Sequence, residues 1–236
     1  MFPNNRMTFS VYIEGNLGAG KTTLLEKIES QIPQLAMEWV AKTFPEPIAE
    51  WEKVGTSQSN LLKLMYDSPK EHSFSFQSHA ISTKVKQLKE ADFVLNIIER
   101  SLASQRDIFI PLLFSSGYLT QLQKDILEHA ISVYSKDSIH VPDLIVFLDV
   151  EPEVALKRIR ERGREAERGV TLHYLKEIRH RYSDWLDLLP PHQVWVLRDE
   201  PDPQEFLKEL SNRLLPSKHF KDSDSKFYDS LLDGFP

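Results

Sequence analysis

Cysteine is absent from the 236 residues. Its absence excludes disulfides, thiolate zinc sites, iron–sulfur clusters and a cysteine nucleophile, and it fits a reducing compartment. The sequence also lacks any run of about 18 apolar residues, so no membrane association through a spanning helix is expected. The opening residues, MFPNNRMTFS, carry no apolar signal core and are too few before the first strand for a transit peptide. Positive charge is in deficit, with 29 Lys and Arg against 35 Asp and Glu for a net charge of −6. A bulk-basic binder of nucleic-acid polymers is therefore not expected. A small phosphorylated ligand needs only a local basic patch and stays open. No internal repeat is visible. What is present is ordinary for a folded domain: 41% hydrophobic and 27% charged residues, in a chain long enough to bury a core without staples. A cytoplasmic protein is the expectation, with the nucleus left open by the same reasoning.

Five short apolar runs, rich in β-branched or aromatic residues, predict strands at 8–14, 39–44, 93–98, 143–150 and 194–197. Helical spacing predicts a helix over 21–32, where Leu24, Leu25, Ile28 and Ile32 share a face and Pro33 ends the run. Further helices are expected at 59–66, 73–90, 101–113 and 118–135, and Pro152 suits the first turn of one running to Glu161. This alternation predicts an α/β fold whose parallel sheet is flanked by helices on both faces. Ligands in such folds sit at the carboxyl ends of the strands. Polar residues gather there: a glycine loop after the first strand, Glu46 after the second, Glu99-Arg100-Ser101 after the third, Asp149 near the end of the fourth, and Arg198-Asp199-Glu200 after the fifth. One domain over 1–216 is expected, followed by a weakly ordered polar tail at 217–236. The alternative for the tail is a docking strip using Phe220, Phe227, Tyr228 and Leu231.

Gly15-Asn16-Leu17-Gly18-Ala19-Gly20-Lys21-Thr22 matches GxxxxGK[ST] in full, after a predicted strand and at the start of a predicted helix. Glycines let backbone N–H groups turn toward phosphates, and the helix N-terminus adds positive potential. Lys21 is expected to reach the β- and γ-phosphates of a bound nucleoside triphosphate such as ATP. Thr22 is expected to ligate magnesium, with Thr23 beside it in the nucleotide site.

A kinase also needs a base near the acceptor hydroxyl, neutralising cations and a cover against water. Glu46, between Pro45 and Pro47 at a strand end, is a candidate base; the alternative is an ordinary loop glutamate. Residues 158–169 hold five arginines in an otherwise acidic protein, and Arg158 and Arg162 share a helix face. They read either as a lid that closes over a nucleotide or as a solvated helix face balanced by Glu161, Glu165 and Glu167. Glu99-Arg100 offers a carboxylate for magnesium and a cation to orient Glu46, or a plain ion pair at a strand end. Phe74, Phe76 and Phe109 are candidates to stack a planar base, or core residues.

In order, Ile13-Glu14-Gly15-Asn16, the phosphate loop, Glu46-Pro47-Ile48-Ala49-Glu50-Trp51, residues 60–66, Phe74-Ser75-Phe76-Gln77, Glu99-Arg100-Ser101 and the arginine segment resemble the deoxynucleoside kinases, over roughly 9–206. That group includes deoxycytidine, deoxyguanosine and mitochondrial thymidine kinases and a broad-specificity insect enzyme. The resemblance implies a P-loop kinase fold with strand order 2-3-1-4-5, ATP and Mg2+ as cofactors, and 5′-phosphorylation of a deoxynucleoside. It casts Glu46 as base, Arg100 beside the hydroxyl, Glu99 near magnesium and Arg158, Arg162 and Arg164 as lid arginines. Tyr66 and Glu167 match the pair on the sugar 3′-hydroxyl, and Gln77 matches the reader of the nucleobase edge. Phe76 and Phe109 match the aromatic clamp, with Trp51, Leu62 and Met65 lining the pocket. Asp199 and Glu200 fall where the family covers the donor adenine. Lys84 and Gln105 stand where some members carry an arginine–aspartate pair beside the base and others a methionine and an alanine. General similarity, including 138–141 and 151–155, leans to the thymidine-kinase and insect side, so thymidine, pyrimidine or broad specificity is expected. Gly18 replaces an alanine of several members, a change expected to be tolerated. The resemblance further implies a homodimer joined through helices, the candidates being 73–90 and 118–135. A nucleoside monophosphate kinase and a silent subunit of the same fold are the alternatives.

Overall fold

The computed structural model describes residues 8–33, 41–56, 59–136 and 142–214. Strand β1 (Phe9–Gly15) is buried at all seven positions, as befits a strand flanked on both sides and covered on both faces. It pairs in parallel with β3 (Leu95–Glu99) on one side and β4 (Leu144–Leu148) on the other. Outside these, β2 (Ala41–Phe44) pairs with β3 and β5 (Val194–Leu197) with β4, again in parallel. The order is thus 2-3-1-4-5, as the resemblance implied.

Alternate side chains divide the core between two layers. Val11, Ile13, Ile97 and Val146 pack against Leu24, Leu25 and Ile28 of α1 (Lys21–Gln31) and Phe206 and Leu210 of α9 (Pro203–Leu214). On the other face Tyr12 and Ile98 meet Ile81 and Val85 of α4 (Pro69–Glu90) and Leu127 and Ile131 of α6 (Gln121–Lys136). There Ile145 and Phe147 meet Ile178, Tyr182 and Trp185 of α8 (Leu172–Asp187). Each such side chain, fully buried, stabilises the fold by about 1.5–3 kcal/mol. Because every strand of this five-stranded sheet runs the same way, all five carboxyl ends meet on one edge.

Several expected boundaries are corrected. Ser59–Asn60 is not helical but pairs antiparallel with Gly55–Thr56. The helix α3 (Leu61–Asp67) starts only after Asn60, whose side chain accepts from the Lys63 N–H. Helix α4 begins four residues before the expected 73, with Pro69 in its first turn, and α6 begins at Gln121 rather than 118. The strand expected at 143–150 is Leu144–Leu148; Asp143 instead accepts from the Ser10 N–H at 2.8 Å. The helix expected at 101–113 is α5, spanning 102–115, whose middle, Gln105–Phe109, is π-helical. Such a stretch carries an extra residue per turn, which 3.6-residue apolar spacing does not signal. Helix α2 (Ile48–Lys53) follows Pro47, and α7 (Pro152–Arg162) carries the first arginines of the basic segment. Residues 39–40 of the expected second strand, the 138–141 similarity and the 217–236 tail lie outside the described residues.

Candidate active site

The loop between β1 and α1 closes on its own lysine. Gly20 adopts φ 96° and lets the chain turn into α1. Lys21, buried, donates from Nζ to the Asn16 carbonyl at 2.8 Å and lies 3.9 Å from a Glu99 carboxylate oxygen. Burial and the neighbouring Arg100 pull its pKa down to about 8, against the opposing Glu99, Glu46 and Glu14. Asn16 is tied to scaffold: its amide donates to the Leu175 carbonyl at 2.8 Å and its oxygen accepts from the Leu17 N–H. Gly18 is the residue type that this backbone accommodates. Its φ is +72° and a Cβ there would lie 2.5 Å from the Ala155 carbonyl of α7. Backbone cannot yield as a flexible side chain does, so alanine at this position requires α7 to move.

Two acidic groups meet beside the loop. Thr22 Oγ1 donates to the Glu99 carboxylate at 2.9 and 3.1 Å. The other carboxylate stands two residues past β2: Glu46, whose N–H donates to Glu99 Oε2 at 3.2 Å and whose Oε1 accepts from Arg100 Nη1 at 3.1 Å. Arg100 adopts φ +58°, a left-handed conformation that costs an arginine energy and collects at functional sites. Its guanidinium lies 4.7 Å from the Phe109 ring centre, a cation–π distance. Burial, the largest single influence, would lower its pKa, but Glu46, Tyr182, Glu99 and Glu14 together outweigh it and the net shift is upward. Next door, fully buried Glu14 accepts from Ser101 N–H at 2.8 Å, Ser101 Oγ at 2.7 Å and Tyr182 Oη at 2.8 Å, fixing the turn that carries Arg100.

Between these groups lies a cavity of about 320 Å³, at the small end for ligand sites. All twelve expected acceptor-site residues border it: Glu46, Trp51, Leu62, Met65, Tyr66, Phe76, Gln77, Lys84, Arg100, Gln105, Phe109 and Glu167. Lys21, Thr22, Thr23, Glu99, Arg162 and Arg164 border it too, so one space joins the phosphate loop to an aromatic chamber. Trp51 stands edge-on to Phe76 at 5.2 Å and donates to Thr83 Oγ1 at 2.9 Å. Gln105 donates from Nε2 to Gln77 Oε1 at 2.8 Å. Lys84 and Gln105, expected together beside the base, have separate partners. Lys84 Nζ turns to the Glu99 carbonyl at 2.6 Å and Gln87 Oε1 at 2.7 Å. Burial brings its pKa down to about 8 against the pull of Glu46, Glu99 and Glu14.

The basic segment splits. Arg162 and Arg164 both donate to Glu167, at 2.5 and 2.8 Å. Arg158 borders the loop rather than the cavity and donates to the Ala19 carbonyl at 3.3 Å. Asp199 and Glu200 do not border the cavity; Glu200 pairs with Lys27, and Arg179 bridges Asp149 and Glu151. Tyr174 and Ser104 border the cavity without having been singled out. Both are isolated polar residues in helices, and spacing gives them no mark. Burial pushes the Tyr174 hydroxyl up to about 12. Among the described residues, no group of three His, Asp or Glu side chains could hold a metal, and no helix is long and apolar enough to cross a membrane.

A family model described as deoxynucleoside kinase matches residues 11–216. The chain is similar to Deoxycytidine kinase 2 of Gallus gallus, at 31% identity over 75% of this chain and 73% of that one. Deoxycytidine kinase 1 of Xenopus laevis is 32% identical over 94% and 87%. Thymidine kinase 2, mitochondrial, of Homo sapiens is 28% identical over 75% and 63%.

Proposed function

Because the chain belongs to the deoxynucleoside kinase family and is thus a phosphotransferase acting on nucleosides, we propose that it moves the γ-phosphoryl group of ATP to the 5′-hydroxyl of a deoxynucleoside. The observation that carries this reading is the single cavity that Glu46, Arg100 and Lys21 share with the Trp51–Phe76 aromatic chamber. A nucleoside in that chamber sets its base against the aromatic rings and the Gln77 amide, and its sugar toward Tyr66 and Glu167. Glu46 accepts the 5′-hydroxyl proton as the oxygen bonds to phosphorus and the bond to the ADP oxygen breaks. Lys21 and the arginines of a lid, Arg162 and Arg164, carry the charge that develops on the phosphoryl oxygens. For this the two arginines must leave Glu167, which the sugar hydroxyl would then occupy. Arg158, held at Ala19, steadies the loop, and Asp199 and Glu200 cover the adenine only if the segment after β5 moves toward the loop.

Magnesium fits Thr22 and Glu99, two hard-oxygen groups in contact whose set phosphate oxygens would complete. When bound it neutralises phosphate charge. A pyrimidine or broad base range is supported by the neutral Gln77–Gln105 amide pair, which lacks the carboxylate of the arginine–aspartate members. The test is an ATP-coupled assay over the four deoxynucleosides and their monophosphates. Both pyrimidine nucleosides should turn over, at least as fast as the purines. A tenfold purine preference would sink the base range, and turnover of monophosphates alone would sink the acceptor.

The same reading makes the enzyme a homodimer. On α6 the exposed Leu122, Ile126 and Val133 lie within one face, 69%, 47% and 47% accessible. A stripe of large apolar side chains is costly in water and marks a contact surface. On α4 the large apolar side chains Phe76, Ile81, Val85 and Leu88 are buried, so α6 is the better of the two expected helices. Light scattering should give the mass of two chains, and Leu122→Asp with Ile126→Asp should halve it. A wild-type mass of one chain excludes the dimer.

A further inference from the structure

We propose that Lys84 and Gln87 of α4 form a positioning couple that sets the Glu46 carboxylate and the Glu99–Arg100 turn against each other, rather than a contact to the nucleobase. The inference rests on the proposed function, because it gives the couple a role in that reaction. Lys84 Nζ donates to the Glu99 carbonyl at 2.6 Å and to Gln87 Oε1 at 2.7 Å. Gln87 Nε2 in turn donates to the Pro45 carbonyl at 2.6 Å. One side-chain pair on one helix thus holds backbone on both sides of the gap. The Glu99 carbonyl is the peptide leading into Arg100, at φ +58°. The Pro45 carbonyl is the peptide leading into Glu46. A backbone in a sparsely populated conformation persists only where its surroundings fix it, and here the fixing bonds come from Lys84 on one side, Ser101 with Glu14 on the other, and the Arg100 N–H, which donates to the Ile13 carbonyl at 3.0 Å.

The chemistry of the couple suits holding rather than reading. Lys84 is 5% exposed, and two of its three N–H donors are committed. Its ammonium is compact and bonds carbonyls as a point charge on a flexible stem. Gln87 uses both ends of its amide, accepting from Lys84 and donating to Pro45. The Glu46 to Arg100 bond, at 3.1 Å, is therefore set by two backbone segments that the couple ties to a common helix. A shift of one segment by about 1 Å is enough to cost ~10²-fold in turnover.

The experiment measures steady-state kinetics with the deoxynucleoside varied at saturating MgATP, on the full chain. Lys84→Met keeps the stem and removes the donors; Gln87→Leu removes both amide bonds. Gln87→Glu keeps the acceptor for Lys84 and loses only the Pro45 bond. For Lys84→Met and Gln87→Leu, kcat should fall ~10- to 100-fold, with the nucleoside KM within about threefold of wild type. Gln87→Glu should lie between, and Lys84→Arg, which restores donors, should recover part of the rate. Lys86→Met, an exposed neighbour on the same helix paired with Glu50, should be unaffected. If Lys84→Met does not fold, the partly exposed Gln87 variants carry the test. A raised KM with unchanged kcat would overturn the couple and return Lys84 to the nucleobase. Unchanged kinetics in both Gln87 variants would overturn it as well. A wild type that phosphorylates no deoxynucleoside overturns the parent reading and this one together, whereas an active wild type with normal variants overturns this one alone.

Discussion

Glu46→Gln should lower kcat by about 10²- to 10⁴-fold, the share that a positioned general base supplies. The amide keeps the size of the carboxylate and an oxygen for Arg100 Nη1, now 3.1 Å from Glu46 Oε1. It cannot take the proton of an attacking hydroxyl. The phosphate loop is untouched, so the dissociation constant of ATP should stay within a few-fold of wild type. The substitution also leaves the Arg100 guanidinium facing a neutral group in a half-enclosed place, with side chains 15% and 14% accessible. A modest fall in melting temperature should accompany the loss of rate. Single-turnover phosphorylation separates the two effects, because a folded, ATP-binding variant can be measured well below its melting point. Turnover within threefold of wild type would mean that another group, or solvent, takes the proton.

The second large effect belongs to Lys21. Lys21→Met should reduce kcat/KM for ATP by about 10²- to 10³-fold, the usual cost of removing one group that stabilises transition-state charge in a dry site. The ligand-free protein offers an independent check. In the folded chain Lys21 titrates near 8, against 10.5 when unperturbed. Below pH 8 both states hold the proton and burial of the ammonium costs its full amount. Between pH 8 and 10.5 the unfolded chain holds more protons than the folded one, so stability rises with pH across that window. Methionine at 21 removes this contribution. Urea midpoints at pH 7.5 and 9.5 should therefore rise less in the variant than in wild type. Equal rises would contradict a buried lysine pressed against Arg100.

Local signals were readable in the sequence and distant ones were not. The phosphate loop is contiguous, and its spacing alone places Lys21 and Thr22. The sheet was readable because cover on both faces leaves strands such as β1 rich in apolar residues, with Phe9, Val11, Tyr12 and Ile13 close together. Family order brought Trp51, Tyr66, Phe76, Gln77 and Phe109 together, though no periodicity separates them from core aromatics. Lys84 shows the limit. Its position beside the cavity followed from the resemblance, but its direction depends on a carbonyl fifteen residues away that is exposed by the turn at Arg100. Helix α8 passed unassigned although Leu175, Ile178, Tyr182 and Trp185 repeat at helical spacing and are all buried. The π-helical part of α5 had no comparable mark. Nor did the bonds from Arg162 and Arg164 to Glu167, which depend on how the chain folds back after Gly163, at φ +68°.

Position 18 ties two parts of the molecule that look separable. The glycine lacks a side chain because Ala155 occupies that volume, and Ala155 sits in the same helix as Arg158 and Arg162. A phosphate loop borrowed from an alanine-bearing relative would therefore arrive without room, unless the arginine helix of that relative came with it. Chimeras should exchange the two as a single module.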